Sequence, residues 1–549
     1  MELTLIQTVS AWAALAGVAS HLLYFIRGEH DRSAHRLLSL SLASTGILTV
    51  TSVYCTWPSA WQGISLAIST SVSFFAGLYI SILAYRVVWH PLQRFPGPPL
   101  ARLSNLWHLH QIRRSDNYLW IQKLHAKYGP IVRTGPNNLS VNDASAIPIV
   151  LGNESRCAKS TWYERSLPLV NLHTVRDKKV HDARRRVFSK AFSPSALRHY
   201  DTRVAIYSDE FIRQMQQNSG GPIDISAWCK YFAFDVMGDL GLGKSFNMMT
   251  RDENRWIPDL LETSMAHVGP TTPVPWLAPI LHRLPKAGEG PRKWLQFVGS
   301  QVNDRMGKKN DPSTNDILSH LLQAYDETLK KDIDYQWLRG DTRLTIVGGS
   351  DTTAATLTFL FYYLAKDPTH IAKLRSELEP LLDGRTRLDP KDIPKAKHLD
   401  GIIQEALRLH PAIPSGFPRV TPPEGIQVSD QFIPGGMTVV LPVYAMQHDE
   451  RNYVRAEEFI PERWYSQPEL IKNKGAFLTW NVGMNGCIGR GVAMMEMRDL
   501  ITQFIRAFDG VRFAPGEDGS RLMTQTKDHF TLGVKPLRLV FVAKEQEAS

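Results

Sequence analysis

One cysteine of this chain stands in a loop suited to close approach by a flat partner. Trp480-Asn481-Val482-Gly483-Met484-Asn485-Gly486-Cys487-Ile488-Gly489-Arg490 is punctuated by glycine and runs into an apolar helical stretch, 492–508. Glycines let backbone pass close beneath a planar cofactor. A cysteine just ahead of a helix has its thiolate favoured by free backbone N–H groups and by the helix dipole. An anionic axial sulfur donor to iron needs both. Taken alone, the loop fits a buried structural cysteine in a tight turn equally well.

Three further groupings bear on the choice. Glu405-Ala406-Leu407-Arg408 puts an acid and a base one turn apart on one helix face. Such a pair contributes little at a surface, but Pro461-Glu462-Arg463-Trp464 follows and brings a second arginine. Upstream, Leu344-Thr345-Ile346-Val347-Gly348-Gly349-Ser350-Asp351-Thr352-Thr353-Ala354-Ala355 reads as a long helix interrupted by its glycine pair, since glycine and hydroxyl residues at mid-helix disfavour regular geometry. A poor helix explains the glycines but not an acid followed by two alcohols. His181-Asp182-Ala183-Arg184-Arg185-Arg186 is either a solvated basic face or a binding face for carboxylates, and Arg419, in Phe417-Pro418-Arg419, is a further candidate for that task. Arginine suits carboxylates through its planar fork of donors.

In order and spacing these motifs resemble those of the cytochrome P-450 family, whose cysteine loop reads Phe-x-x-Gly-x-Arg-x-Cys-x-Gly. The resemblance covers roughly residues 88–549. It implies a mainly α fold with small β-sheets and a haem b whose iron takes Cys487 as axial thiolate. Gly483 and Trp480 belong to the cofactor loop. Glu405, Arg408 and Arg463 would form a buried charge network that braces the haem-binding core, a structural role. Gly-Gly-x-Asp-Thr-Thr opens a groove beside the oxygen-binding face in this family. By residue-for-residue match, Thr352 would steady the reduced dioxygen and Asp351 would relay the protons that drive O–O cleavage. His181 and Arg185 occupy the positions of the family's propionate-binding pair, with Arg419 as a third partner.

The family reading implies monooxygenation, with electrons from NADPH delivered by a membrane-bound NADPH–cytochrome P-450 reductase at a basic face. A haem-thiolate isomerase or dehydratase without O2 activation is the alternative on the same fold. Such enzymes typically lose the acid–alcohol pair, which Asp351-Thr352 retains. Two departures stand out. The family's Phe is Trp480 here and its Arg is Asn485, so one propionate contact is missing from the loop. The Trp480 N–H could reach the thiolate or a backbone carbonyl, and both remain open. The His-Pro-Leu…Phe-Pro-Gly-Pro hinge, Cys-Ile-Gly-Arg and a multi-span N-terminus resemble fungal secondary-metabolite members. Segments near 160–175 and 264–280, Val347 and 413–417 are expected to line the pocket, with Trp162, Tyr163, Trp276 and Phe417 suiting a bulky apolar substrate. A terpenoid, a prenylated indole and a polyketide fit equally.

The elements that must position these residues divide into three parts. Residues 1–88 read as a membrane anchor with up to three helices, near 3–26, 37–57 and 64–86, the last two parted by an uncharged interruption at 56–63. Arg27, Arg32 and Arg36 lie between the first two spans, and Arg86, Arg94 and Arg102 follow the third. The positive-inside bias therefore puts the first loop and everything after residue 86 in the cytosol, as for an endoplasmic reticulum membrane enzyme. A cleaved signal peptide would explain only the first span. Prolines at 91, 96, 98 and 99 make 89–100 a stiff hinge. Residues 101–549 would form one large catalytic domain, with no internal repeat or low-complexity tract.

The four cysteines of the 549 residues make no CxxC or zinc pattern. A net charge of +10 without a basic–aromatic stripe points away from nucleic acid and towards anionic lipid or an acidic partner. A multi-span transporter or receptor is excluded because only the first ninety residues look membrane-embedded and no charges stand inside the spans.

Overall fold

The computed structural model describes residues 2–56, 59–307, 316–328 and 333–544. Three N-terminal helices, α1 (Glu2–Ser20), α2 (Ala34–Cys55) and α3 (Ala60–Ala84), carry the apolar sequence. Stretches Ile6–Phe25, Asp31–Cys55 and Ala60–Trp89 are long and apolar enough to cross a membrane. Trp57 and Pro58, within the interruption expected between the last two, lie outside the described residues. α1 and α3 meet at glycines. A Cβ on Gly17 would strike the Phe74 carbonyl, and one on Gly77 would strike that of Ala14, so small residues let the two backbones touch. Leu23, Leu42, Val50 and Ile80 point outward with more than half of their surface open.

The loop between α1 and α2 touches the part of the chain beyond the hinge. Thr161 Oγ1 donates to Asp31 Oδ2 at 2.6 Å, and Arg176 Nη2 donates to Glu29 at 2.9 Å. Loop and domain therefore lie on the same side of the spans. The helical run beyond α3 ends at His90, which turns extended (φ −66°, ψ 136°) ahead of Pro91. The hinge then packs onto a sheet. Leu92 and Phe95 are buried, Arg133 N–H donates to the Pro96 carbonyl at 2.7 Å, and His90 bonds Asn137 at 2.9 Å.

Beyond the hinge, helices dominate and the sheets are small. The main sheet orders strands Ile131–Arg133, Asn138–Val141, Thr438–Val440, Arg419–Val420 and Ala158–Lys159. A second joins Ile223–Asp224, Arg538–Ala543 and Phe508–Phe513, and a short hairpin pairs Lys527–Asp528 with Leu532–Gly533. The helices that carry the site are α4 (Lys178–Ala191), α5 (Ile225–Leu242), α6 (Ile333–Lys366), α7 (Thr369–Leu382), α8 (Lys397–Leu409) and α9 (Arg490–Ala507).

The expected break in the helix at Gly348-Gly349 does not occur: α6 is continuous over 34 residues. The two glycines do different work. A Cβ on Gly349 would fall 2.4 Å from Met237 Sδ, so this glycine lets α5 pack against α6. Gly348 is exposed although it stands in the middle of a core helix, and a Cβ there would meet only Leu344, at 3.9 Å. Packing along α6, where Leu357, Leu360 and Phe361 are wholly buried, outweighs the local cost of glycine.

Candidate active site

The cysteine loop is tied closed by backbone. Cys487 N–H donates to the Trp480 carbonyl at 2.7 Å, and Gly486 N–H to the Gly483 carbonyl at 3.0 Å. Gly483 takes φ +66°, where a Cβ would meet the Leu151 carbonyl at 2.7 Å, so both space and backbone demand glycine. Arg185, from α4, donates Nη1 to the Gly486 carbonyl at 2.6 Å and braces the loop from outside.

The Cys487 side chain is accessible, yet protein atoms surround it densely, as for a sulfur facing an inner cleft. Burial pushes its thiol up. The N–H groups of Gly489 and Arg490 and the charges of Arg185 and Arg490 oppose that rise without reversing it. The backbone N–H groups at the start of α9 thus favour the thiolate, as their position implies, against the cost of burial. A metal ion held by Cys487 would complete the deprotonation, because a coordinating thiol loses its proton outright. The Trp480 indole N–H is enclosed and bonds neither a carbonyl nor the sulfur, so neither of its two expected contacts is made within the protein. The Arg490 guanidinium lies 5.8 Å from the centre of the Trp480 ring. Asn485, where the resemblance expects an arginine, is half-buried.

On α6 the acid and the alcohol point to different neighbours, as adjacent helical residues must. Thr352 Oγ1 donates to the Gly348 carbonyl at 2.7 Å, on the open stretch of the helix. Asp351 turns towards the 528–533 hairpin, where Thr531 Oγ1 donates to its Oδ2. Burial raises the Asp351 carboxyl, while the Thr531 hydrogen bond and the Lys230 charge lower it. Lys230 and Glu262, an ion pair at 3.2 Å, share a small recess with Asp351, His529 and Thr531. No hydrogen bond among the described residues links Asp351 or Thr352 to the cysteine loop. Thr531 carries no local motif, and only the fold brings it across 180 positions to Asp351.

The cationic residues gather at one place and add a lysine that sequence reasoning missed. Arg419 donates Nη1 to Tyr163 Oη at 2.6 Å, and both its guanidinium and the Lys159 ammonium lie over the Tyr163 ring, at 5.4 and 5.3 Å. Lys159 donates to the carbonyls of Leu172 and His173, at 3.3 and 2.7 Å. Burial and Arg419 draw its ammonium down to about 7. His173 is driven down to about 3 by burial and then by Lys159, Arg419, Arg343 and His181. Lys159 and Arg419 have no carboxylate partner among the described residues. His181 is buried and holds Asp182 at 3.0 Å.

Glu405, Arg408 and Arg463 are fully buried and mutually bonded. Arg408 grips the carboxylate with Nε and Nη2 at 2.9 and 2.8 Å, and Arg463 Nε reaches it at 2.9 Å. Two partners were not foreseen: the Trp464 indole N–H at 2.9 Å and the Ile460 backbone N–H at 3.0 Å. Arg408 also donates to the carbonyls of Gln447, Ala456 and Glu458, so the network ties α8 to the loops that precede Cys487.

Beside α6 lies a cavity of ≈ 180 Å³, walled by Trp162, Leu167, Val268, Val347 and Phe530 among others. The expected segments near 160–175, 264–280 and Val347 meet there. Trp276 does not line it, and Phe417 stands behind Phe530, at 6.3 Å between ring centres. Phe530, unforeseen, takes φ +86°, a strained setting for a phenylalanine, and packs 4.8 Å from Trp162.

These residues fit the haem that the resemblance implies. Cys487 offers the sulfur, Gly348 leaves close approach free, Trp480 keeps an unspent donor, and Lys159 and Arg419 await carboxylates. The comparisons with known proteins agree. The family model for cytochrome P-450 matches residues 96–541. The cytochrome P-450 monooxygenase lcsK of Purpureocillium lilacinum is 38% identical over 546 residues, 97% of this chain and 98% of the relative. The cytochrome P-450 monooxygenase notG' of Aspergillus versicolor is 37% identical across 96% of this chain and 97% of the relative. Tryprostatin B 6-hydroxylase of Aspergillus fumigatus is 36% identical across 97% and 96%. A sulfur-bearing glycine loop, a buried Glu–Arg–Arg brace and near full-length kinship with fungal enzymes leave one assignment: the chain belongs to the cytochrome P-450 family and is a haem-thiolate monooxygenase.

Proposed function

We propose that this enzyme uses NADPH and O2 to hydroxylate or epoxidise a bulky, largely apolar intermediate of fungal secondary metabolism, of terpenoid, prenylated indole or polyketide type. It would work at the endoplasmic reticulum membrane with NADPH–cytochrome P-450 reductase. The observation that carries the reading is the acid–alcohol pair of α6, Thr352 on the helix's open stretch beside Gly348 and Asp351 facing the Lys230–Glu262 recess. The tryprostatin B 6-hydroxylase relative supports hydroxylation as the outcome.

When bound, the haem would supply oxygen activation, held by Cys487, with Lys159, Arg419 and His181 near its carboxylates and Arg185 bracing the cysteine loop. The chain's own task is to position substrate and move protons. The Asp351 carboxyl, raised by burial, holds a proton near neutral pH more readily than an exposed acid and exchanges it with the Lys230–Glu262 side. Thr352 carries a hydroxyl at the cleft that can leave the Gly348 carbonyl and pass a proton on. Trp162 and Phe530 exclude water and orient the apolar substrate.

The reading is tested by coupling. Thr352→Ala should keep haem and NADPH consumption, divert electrons to hydrogen peroxide, and lower product per NADPH about tenfold or more. Unchanged coupling, measured by oxygen uptake and peroxide assay, would remove Thr352 from proton delivery.

Two predictions concern the cofactor. Trp480→Phe should lower the ferric/ferrous potential, because the enclosed indole N–H is free to donate to the thiolate and weaken its push. A redox titration with an unchanged potential would discard that role. Lys159→Met should speed haem transfer to apomyoglobin about tenfold, by loss of one charge-assisted contact worth ~1.5–3 kcal/mol. With its pKa drawn down to about 7, Lys159 is increasingly neutral above that pH. Haem release by the natural enzyme should therefore quicken as pH rises past 7, with the onset displaced upward by a bound propionate. The methionine variant should lose that dependence, and parallel pH profiles would count against it.

A further inference from the structure

The cavity beside α6 has a charged end. Arg165, on the Thr161–Ser166 turn, and Arg343, on α6, both line it, and no aspartate or glutamate does so among the described residues. Arg165 is fixed by neutral acceptors. Its Nη1 donates to the Val268 carbonyl at 3.1 Å, its Nη2 to Thr271 Oγ1 at 2.6 Å, and its guanidinium lies 5.7 Å from the Trp162 ring. Arg343 is held more loosely, by a single hydrogen bond at 3.3 Å to Ser166 Oγ among the described residues. Neither arginine has a carboxylate partner there. The two repel each other, and burial with Arg343 draws Arg165 down to about 10. His282, on the same wall, is driven down to about 4 by burial and by both arginines. A pair of enclosed guanidiniums without a counter-charge is unfavourable until an anion arrives. Their planar forks match a carboxylate better than any neutral acceptor.

We propose that the pocket selects a substrate bearing a carboxylate at one end of a largely apolar body, with Arg343 and Arg165 holding that carboxylate. This deepens the monooxygenase reading above and rests on it. Arg343 precedes Val347 by one turn and the open Gly348 by five residues, about 7.5 Å along the helix axis. The carbon that is oxidised therefore lies several bonds from the anion, and Trp162, Val347 and Phe530 clasp the apolar part between. A purely bracing role, with Arg343 tying α6 to Ser166, would give no preference between an acid and its ester. Binding therefore separates the two.

The full-length holoenzyme in detergent is titrated with phenylbutanoic, phenylhexanoic and phenyloctanoic acids and with their methyl esters. Affinity is read by calorimetry and by the substrate-induced Soret shift. At least one acid should bind about tenfold or more tightly than its ester. Arg343→Met should erase that difference while leaving ester affinity and the ferrous–carbonyl band in place. Arg343→Gln, which can keep the bond to Ser166, should erase it too and covers disturbed packing in the methionine variant. Esters binding as tightly as acids, no probe binding at all, or an acid preference that survives in both variants would each overturn the proposal. A wild-type enzyme without the red-shifted carbonyl band would instead overturn the monooxygenase reading. Calorimetry does not use the haem, so it would still decide on the carboxylate.

Discussion

Cys487→Ser is expected to abolish the red-shifted Soret band of the ferrous–carbonyl complex and, with it, product formation. Serine keeps the size and the backbone bond to the Trp480 carbonyl, so the loop should still close. What it cannot supply is an anionic sulfur, since the band and the electron push that favours O–O cleavage both belong to thiolate ligation. The other cysteines are poorly placed to substitute. Cys55 ends α2, Cys157 is half-buried beside Ser155, and Cys229 is wholly buried in α5 with its thiol pushed far up by burial. Cys157→Ser and Cys229→Ala should therefore keep the band. A band that survives in Cys487→Ser would assign the iron to another ligand.

The second large effect is on folding. Glu405→Gln keeps the shape of the side chain but removes the single negative charge that Arg408 and Arg463 share. All three residues are fully buried, so two guanidiniums would be left without a counter-ion. Breaking a buried pair in this way costs about 3–5 kcal/mol, a large share of the stability of most proteins. The expected result is little or no haem-loaded protein, with the thermal midpoint of any that forms lowered by several degrees. Arg408→Lys should be nearly as harmful, because a lysine cannot grip the carboxylate with two donors while reaching the carbonyls of Gln447, Ala456 and Glu458. A Glu405→Gln enzyme with normal haem content and melting would show that the arginines are neutralised some other way.

The parts of the site that could be read from sequence are those written in contiguous residues. The cysteine loop, Glu405 with Arg408, and Asp351 with Thr352 each fall within one turn or one loop, where spacing alone decides which side chains share a face. The three apolar spans were legible for the same reason. Lys159, Thr531, Phe530 and Arg343 were not. Each is an ordinary residue locally: Lys159, Thr531 and Phe530 acquire their places through strands and a hairpin paired across long stretches of chain, and Arg343 through the distant Thr161–Ser166 turn that packs on α6. The continuous α6 shows the limit from the other side. Two glycines in a row lower helix propensity, but Met237 on a distant helix gives one of them its reason. Arg185 was expected at a propionate and is found on the Gly486 carbonyl, a contact between α4 and a loop some three hundred residues away.

The loop between α1 and α2 ties the apolar N-terminal helices to one wall of the substrate cavity. Asp31 accepts from Thr161, at the start of the same short turn that carries Trp162, Tyr163 and Arg165. Any tilt or vertical displacement of the first two spans is thus transmitted, through two side-chain bonds, to a wall of the substrate cavity. With those spans seated in a bilayer, lipid thickness would become an input to the shape of the cavity, and a truncated form freed from its spans would have one wall untethered.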